Sequence, residues 1–202
     1  SIMTKGMKWW LNTEIKIIGQ IPSKKRVVIY AIKHQSAWET VFCTDLFSMP
    51  SIVLKKALIF LPVIGLYFLR AGAIPISRDQ GLNALRKMGR NAQKAVKENR
   101  SMMIFPQGTR VNPGISSKQK PYLPGVFFLY SQARVPVVPV AHNAGLLWPK
   151  NSFFKYPNRL KSKSVTIQIL PEIKPGLSKQ EFLTKLENTM ETASNKLIKL
   201  EN

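Results

Sequence analysis

The alternation of short apolar runs with longer stretches of helical period constrains this chain most. "RVVIYAI" (26–32), "SIVL" (51–54), "AIPIS" (73–77), "SMMIF" (101–105), "VPVVPVA" (135–141) and "SVTIQIL" (164–170) are dominated by apolar, often β-branched residues. A run that is apolar at nearly every position has no face to leave in water, and so predicts a strand covered on both sides. Between these runs, helices are predicted over residues 37 to 48, 80 to 99, 122 to 133 and 178 to 200. The second of these places Leu82, Leu85, Met88, Ala92 and Val96 on one face, with Lys and Arg opposite. The last opens with Ser178 and, three residues on, Glu181, the spacing of a capping box. Strands alternating with helices give an α/β fold, a single domain with a mixed, mainly parallel sheet flanked by helices. The proline in "AIPIS" predicts an irregular or edge strand there.

The first twenty residues read as an amphipathic helix, with Met3, Met7 and Trp10 at helical spacing and Lys5, Lys8 and Lys16 nearby. Two readings stand for it: a helix lying in a membrane interface, or a terminal helix packed on the core. The expected organisation is a membrane-associating segment over residues 1–22 and a main domain over 23–202. The longest uncharged run, "ALIFLPVIGLYFL" (57–69), is far short of the about 20 residues a membrane span needs. The chain starts at Ser1, and an anchor upstream of it stays open.

Charge narrows the partners. There are 31 Lys+Arg against 10 Asp+Glu, a formal net of +21. Such an excess favours nucleic acid, an anionic membrane surface or a phosphorylated substrate. Nucleic-acid binding calls for basic residues interleaved with stacking aromatics, whereas here the aromatics fall mostly in apolar runs. One cysteine, Cys43, excludes an intramolecular disulfide, and two histidines with one cysteine are poor material for zinc.

One of those histidines sits in "IKHQSAWETVF" (32–42), where the first strand meets a helix. Residues five apart on a helix are rotated by about 140° and do not face each other. His34 and Glu39 can therefore touch only if His34 precedes the helix and Glu39 lies in its first turn. Ser36 with Glu39 has the S-x-x-E spacing that puts Ser36 at the N-cap and gives that geometry. Two explanations compete. Glu39 is a helix cap and His34 a turn residue, or Glu39 orients the His34 imidazole so that its other nitrogen takes a proton. With no G-x-S-x-G elbow in the chain, the second explanation needs a substrate hydroxyl as nucleophile. Two loops after strands, "SRDQG" (77–81) and "FPQGTRVNPG" (105–114), each carry an arginine. Gly108 allows close backbone approach, and the Arg110 fork suits phosphate.

Four ordered blocks, "KHQSAWET", "GAIPISRD", "FPQGTR" and "VPVVPV", together with "LKKALIFLPVIG" and "YLPGVF" between them, resemble the glycerolipid acyltransferase family from about residue 26 to 143. The resemblance implies a glycerol-3-phosphate acyltransferase-like fold, with residues 23–202 as the acyltransferase domain. It implies transfer of a fatty acyl group from acyl-CoA or acyl-carrier protein to the free hydroxyl of lysophosphatidic acid, giving phosphatidic acid. His34 would be general base and Glu39 its orienter. Arg78, Gln107, Gly108, Thr109 and Arg110 would hold the glycerol phosphate, and "VPVVPV" with the 57–69 run would line a route for acyl chains. The donors are substrates, and no cofactor or metal is called for. The implied location is peripheral, on the cytoplasmic face of a bacterial inner membrane. Two departures stand out. Glu39 replaces the family's usual Asp, and Gln107 its usual Glu, which opens the alternative of another lyso-lipid acceptor, such as a lyso-ornithine lipid. An inactive lipid-surface protein that kept the fold is a further alternative.

Overall fold

In the computed structural model, which describes residues 14–77, 81–152 and 164–201, a seven-stranded sheet forms the frame. Its strands are β1 (Glu14–Ile18), β2 (Ile29–Ile32), β3 (Ser51–Lys55), β4 (Ile74–Ile76), β5 (Met102–Ile104), β6 (Val137–His142) and β7 (Ser164–Ile169), in the spatial order β1-β7-β6-β2-β5-β3-β4. Only β6 and β7 pair antiparallel; every other neighbouring pair is parallel. The sheet is thus mixed and mainly parallel, as the alternation of elements predicted.

Helices α1 (Trp38–Leu46), α2 (Ile64–Arg70), α3 (Gly81–Lys97), α4 (Gly125–Ala133) and α5 (Ala144–Leu147) lie between strands and α6 (Lys179–Lys199) follows the last one, with a 3-10 segment over Lys56–Phe60 after β3. The continuous apolar character of β2 has its cause in two cores. Val28, Tyr30 and Ile32 point into one, with Trp38 and Phe42 of α1. Ile29 and Ala31 point into the other, with Met88 of α3, Leu129 of α4 and Leu186 of α6. Successive side chains of a strand face opposite ways, so a strand covered on both faces, as β2 is, favours apolar residues at every position. β2 is central in this sheet, and β5 and β6 flank it.

Several expectations need correction. The first twenty residues do not form one helix: Glu14–Ile18 is an edge strand pairing with β7 in parallel, and residues 1–13 lie outside the described residues. On α3, Leu82 is 72% exposed, and the buried stripe runs through Ala84, Met88, Ala92 and Ala95. Small residues let α3 approach α4 closely; a side chain at Gly89 would meet the Phe128 ring and the Gln132 stem. The helix expected from residue 122 begins at Gly125, since Pro124 is its N-cap. The proline of "AIPIS" does mark an edge, because β4 pairs only with β3. The capping box at Ser178 and Glu181 is formed in both directions.

Candidate active site

The carboxyl ends of β2, β3 and β5 open into one cleft of about 490 Å³, the expected place for chemistry in a sheet of this kind. His34 lines it, two residues beyond the end of β2. Leu54 and Lys55 border it at the end of β3, and Phe105 and Pro106 just past β5. Ala84, Leu85 and Met88 of α3, with Leu123, Pro124, Gly125 and Val126 at the start of α4, supply an apolar wall.

His34 is held at three points, two on its ring and one on its backbone. Its Nδ1 lies 2.7 Å from Glu39 Oε1. Its face stacks on Phe105, ring centroids 4.0 Å apart and 21° from parallel. Its backbone carbonyl accepts from the Val111 amide at 2.7 Å, which ties the loop after β5 to the turn after β2. The two sequence explanations of Glu39 turn out to be compatible. The same Oε1 that meets the imidazole also accepts from the amides of Gln35 and Ser36, both at 3.0 Å. Glu39 is therefore at once an N-terminal cap and the imidazole's partner. The serine half of the box differs from expectation. Ala37 is the N-cap, and the Ser36 hydroxyl accepts from Trp38 N at 3.2 Å rather than from Glu39.

Glu39 is wholly buried, while the His34 side chain keeps 17% exposure. Burial alone pushes the Glu39 carboxyl up. The His34 hydrogen bond, the nearby His142 and His34 rings and the Ser36 amide outweigh it and hold the group below its ordinary value of 4.5. An ionised carboxylate can only accept, so His34 Nδ1 carries the proton that is shared with Glu39. That leaves Nε2, on the far side of the ring, as a proton acceptor. Glu39 Oε2 is buried with no hydrogen-bond partner among the described residues.

The other sequence-derived candidates divide. Gly108, Thr109 and Arg110 line the cleft with His34, and Gly108 takes φ +63°, the left-handed region that favours glycine. Gln107 does not line it. Its side chain is buried and turned away, donating from Nε2 to the Lys120 carbonyl at 2.9 Å. Arg78 lies outside the described residues. Of the described side chains of the 57–69 run, only Leu58 and Phe68 border the cleft, and no residue of "VPVVPV" does. That block is β6 with the residues leading into it, and Val137 and Val140 are packed into the sheet's two cores.

Sequence reasoning missed the support behind the site. The Lys33 ammonium, next to His34 but on the opposite side of the strand, is buried and ion-paired with Glu191 of α6. The Tyr122 hydroxyl donates to the same Glu191 oxygen at 3.0 Å, and Lys33 lies over the Tyr122 ring. The carbonyl of Lys33 in turn accepts a hydrogen bond from His142 Nε2 at 2.6 Å. Glu191 stands 158 positions from Lys33, and no local pattern could link them. The stacking of Phe105 on His34 had a readable trace, since both residues sit in blocks that begin just past the ends of strands, and those strands are neighbours in the sheet.

An acyltransferase family model, described simply as "Acyltransferase", matches residues 13–143, a span that includes every residue of the His34 turn and of the loop after β5. The chain belongs to the acyltransferase family. Among its relatives, the 1-acyl-sn-glycerol-3-phosphate acyltransferase of Pseudomonas aeruginosa is 36% identical over 151 residues, covering 75% of this chain and 57% of that protein. The enzyme of the same name from Limnanthes douglasii is 30% identical over 167 residues, covering 82% of this chain and 56% of the relative. The chain thus spans a little over half the length of these curated relatives. The crystal structure of the 1-acyl-sn-glycerophosphate (LPA) acyltransferase of Thermotoga maritima superposes with a TM-score of 0.74 at 21% identity, over 96% of this chain and 76% of that one. That likeness is one of fold.

Proposed function

We propose that this chain catalyses transfer of a fatty acyl group from an acyl-CoA or acyl-carrier-protein thioester to the free sn-2 hydroxyl of 1-acyl-glycerol-3-phosphate, yielding phosphatidic acid. The observation that carries the reading is the His34–Glu39 pair at the edge of a cleft with an apolar wall. His34 Nε2 takes the hydroxyl proton as the substrate oxygen attacks the thioester carbonyl. The tetrahedral intermediate collapses, the carbon–sulfur bond breaks, and the imidazolium returns the proton to the leaving thiolate. Glu39 holds the ring in the tautomer that makes Nε2 the acceptor and stabilises the imidazolium that forms. No acyl-enzyme intermediate is involved, in keeping with the burial of Cys43, whose thiol is pushed up by burial and by the nearby Glu39 charge.

Arg110, with the backbone around Gly108 and Thr109, is the proposed seat of the acceptor phosphate, and Arg78 is a second candidate ligand from its sequence position. The net charge of +21 suits an anionic lipid acceptor and an anionic membrane. Among the described residues no helix is long and apolar enough to cross a membrane. Peripheral attachment to the cytoplasmic face of a bacterial inner membrane is the location that fits this chemistry. Because Gln107 turns away from the cleft, its departure from the family's acid gives no reason to prefer a phosphate-free acceptor.

The test is direct. Purified protein is incubated with labelled acyl-CoA or, separately, labelled acyl-carrier protein and 1-acyl-glycerol-3-phosphate, with lyso-ornithine lipid in parallel, and products are separated by thin-layer chromatography. Labelled phosphatidic acid is the expected outcome. Acylation of lyso-ornithine lipid alone would overturn the acceptor assignment, and no acylated product with either donor class would overturn the activity.

A further inference from the structure

Phe68 of the 57–69 run packs inward, but several of the run's other apolar side chains face outward. Phe60 is 75% exposed and Val63 82%, and Leu61, Leu66 and Leu69 are each exposed as well. Single exposed apolar residues are ordinary. Five within ten residues, in a chain that buries Phe42 and Trp38 almost completely, form a patch of the kind that marks an interaction surface. Leu58, at its inner edge, borders the cleft beside His34, so the patch starts at the mouth of the site. Cations frame it. Lys55 and Lys56 precede it and Arg70 follows, all exposed, and none has an ion-pair partner among the described residues.

We propose that this face, the 3-10 segment with the outer side of α2, inserts into an anionic lipid surface. Phe60, Leu61, Val63, Leu66 and Leu69 reach the acyl boundary, and Lys55, Lys56 and Arg70 meet headgroup phosphates. The cleft mouth then opens at the lipid surface, and a lipid acceptor enters without crossing water. This rests on the lipid-acyltransferase reading of the cleft. A second copy of the chain is a poorer occupant. A two-fold contact through the patch would bring its framing cations onto one another, and the chain has few acids to offset them.

The experiment places a reporter in the patch. Cys43 is fully buried and is the chain's one cysteine, so Phe60→Cys adds a single accessible thiol for an environment-sensitive fluorophore. The expected result is a blue shift on phosphatidylglycerol-containing vesicles, weaker in high salt and absent with pure phosphatidylcholine. Protein that co-sediments with anionic vesicles without shifting the reporter would show that another face docks. A shift that follows protein concentration in the absence of lipid would instead identify self-association and overturn the proposal. A second variant, Phe60→Ser combined with Val63→Ser and Leu66→Ser, is expected to lose vesicle partitioning by at least about tenfold. It should lose activity on vesicle-embedded acceptor by a similar factor, while keeping activity on a short-chain, monomeric acceptor. Unchanged partitioning sinks the docking face. If the unsubstituted protein acylates neither acceptor, the catalytic reading fails, and the reporter still decides the docking.

Discussion

β2 and β6 run side by side in the same direction, and each delivers a histidine near its carboxyl end. His142, the last residue of β6, is fully buried, with both nitrogens occupied: Nε2 donates to the Lys33 carbonyl and Nδ1 accepts from the Ala144 amide. That double use requires a neutral ring, and burial, the largest influence on it, pushes its pKa down from the ordinary 6.5. Among the described residues His34 spends only Nδ1 on a hydrogen bond, and it borders the cleft. The two imidazoles hold opposite tautomers. One is a structural pin between adjacent strands and the other the proposed base, and what separates them is whether the second nitrogen meets a described residue of the protein or faces the cleft.

The largest effect that would break this contrast is His34→Ala. Loss of the base is expected to lower kcat by about 10² to 10⁴-fold, measured with saturating acceptor, and to leave the unfolding midpoint close to that of the unsubstituted protein. A variant that retains most of its turnover would place the base elsewhere. Glu39→Gln comes next. Three donors converge on Oε1, so a glutamine would keep its carbonyl there and preserve the tautomer while losing the charge. The expected loss is roughly 10- to 100-fold, smaller than for His34→Ala. Full activity would reduce Glu39 to a helix cap.

Gln107→Glu sharpens the comparison at a third strand end. Gln107, like His142, points into protein, and a carboxylate there would face the Lys120 carbonyl without a proton to offer. A stability loss of about 1–3 kcal/mol in urea unfolding is expected, with acceptor KM unchanged. A changed KM at unchanged stability would put the side chain in the acceptor site after all. The smallest effect concerns His142 and pH. Its native pKa lies below the unfolded 6.5, so the unfolded chain takes a proton that the native chain refuses. The stability is fully present above 6.5 and declines as pH falls below it, by up to about 1.4 kcal/mol per pH unit. Glu39, depressed from 4.5, contributes stability that is fully present above 4.5 and is lost as pH falls through its lower native value, so it leaves the His142 window unchanged. His142→Gln keeps a donor for the Lys33 carbonyl and does not titrate. It should flatten the stability profile between pH 7 and about 5, and an equally steep profile would mean another group is responsible.

Much of this was legible in the chain. The strands announced themselves because a sheet covered on both faces needs unbroken apolar runs, and "RVVIYAI" has no other use. The His34–Glu39 contact was legible because cap spacing fixed where the helix starts, though the cap settled on Ala37 rather than Ser36. Orientation in the loop after β5 was not. "FPQGTR" gives no sign that Gln107 turns inward while Gly108 to Arg110 line the cleft, since that depends on where Lys120 comes to lie. Nor was the direction of the 57–69 run. Apolar character alone predicts burial, and only the packed structure reveals that Phe68 goes in while Phe60 stays out. The edge strand Glu14–Ile18 does carry a two-residue alternation over Glu14, Ile15, Lys16 and Ile17, but the helical spacing of Met3, Met7 and Trp10 just before it masks that signal.

The tautomers test the central claim most directly. The chain has only two histidines, so a nitrogen-15 spectrum of histidine-labelled protein at mildly alkaline pH contains two imidazoles. One ring, His34, should carry its proton on Nδ1 and lose its signals in His34→Ala. The other, His142, should carry it on Nε2. A His34 ring protonated on Nε2 instead would have no free base to offer the cleft, and the proposed proton transfer would be contradicted.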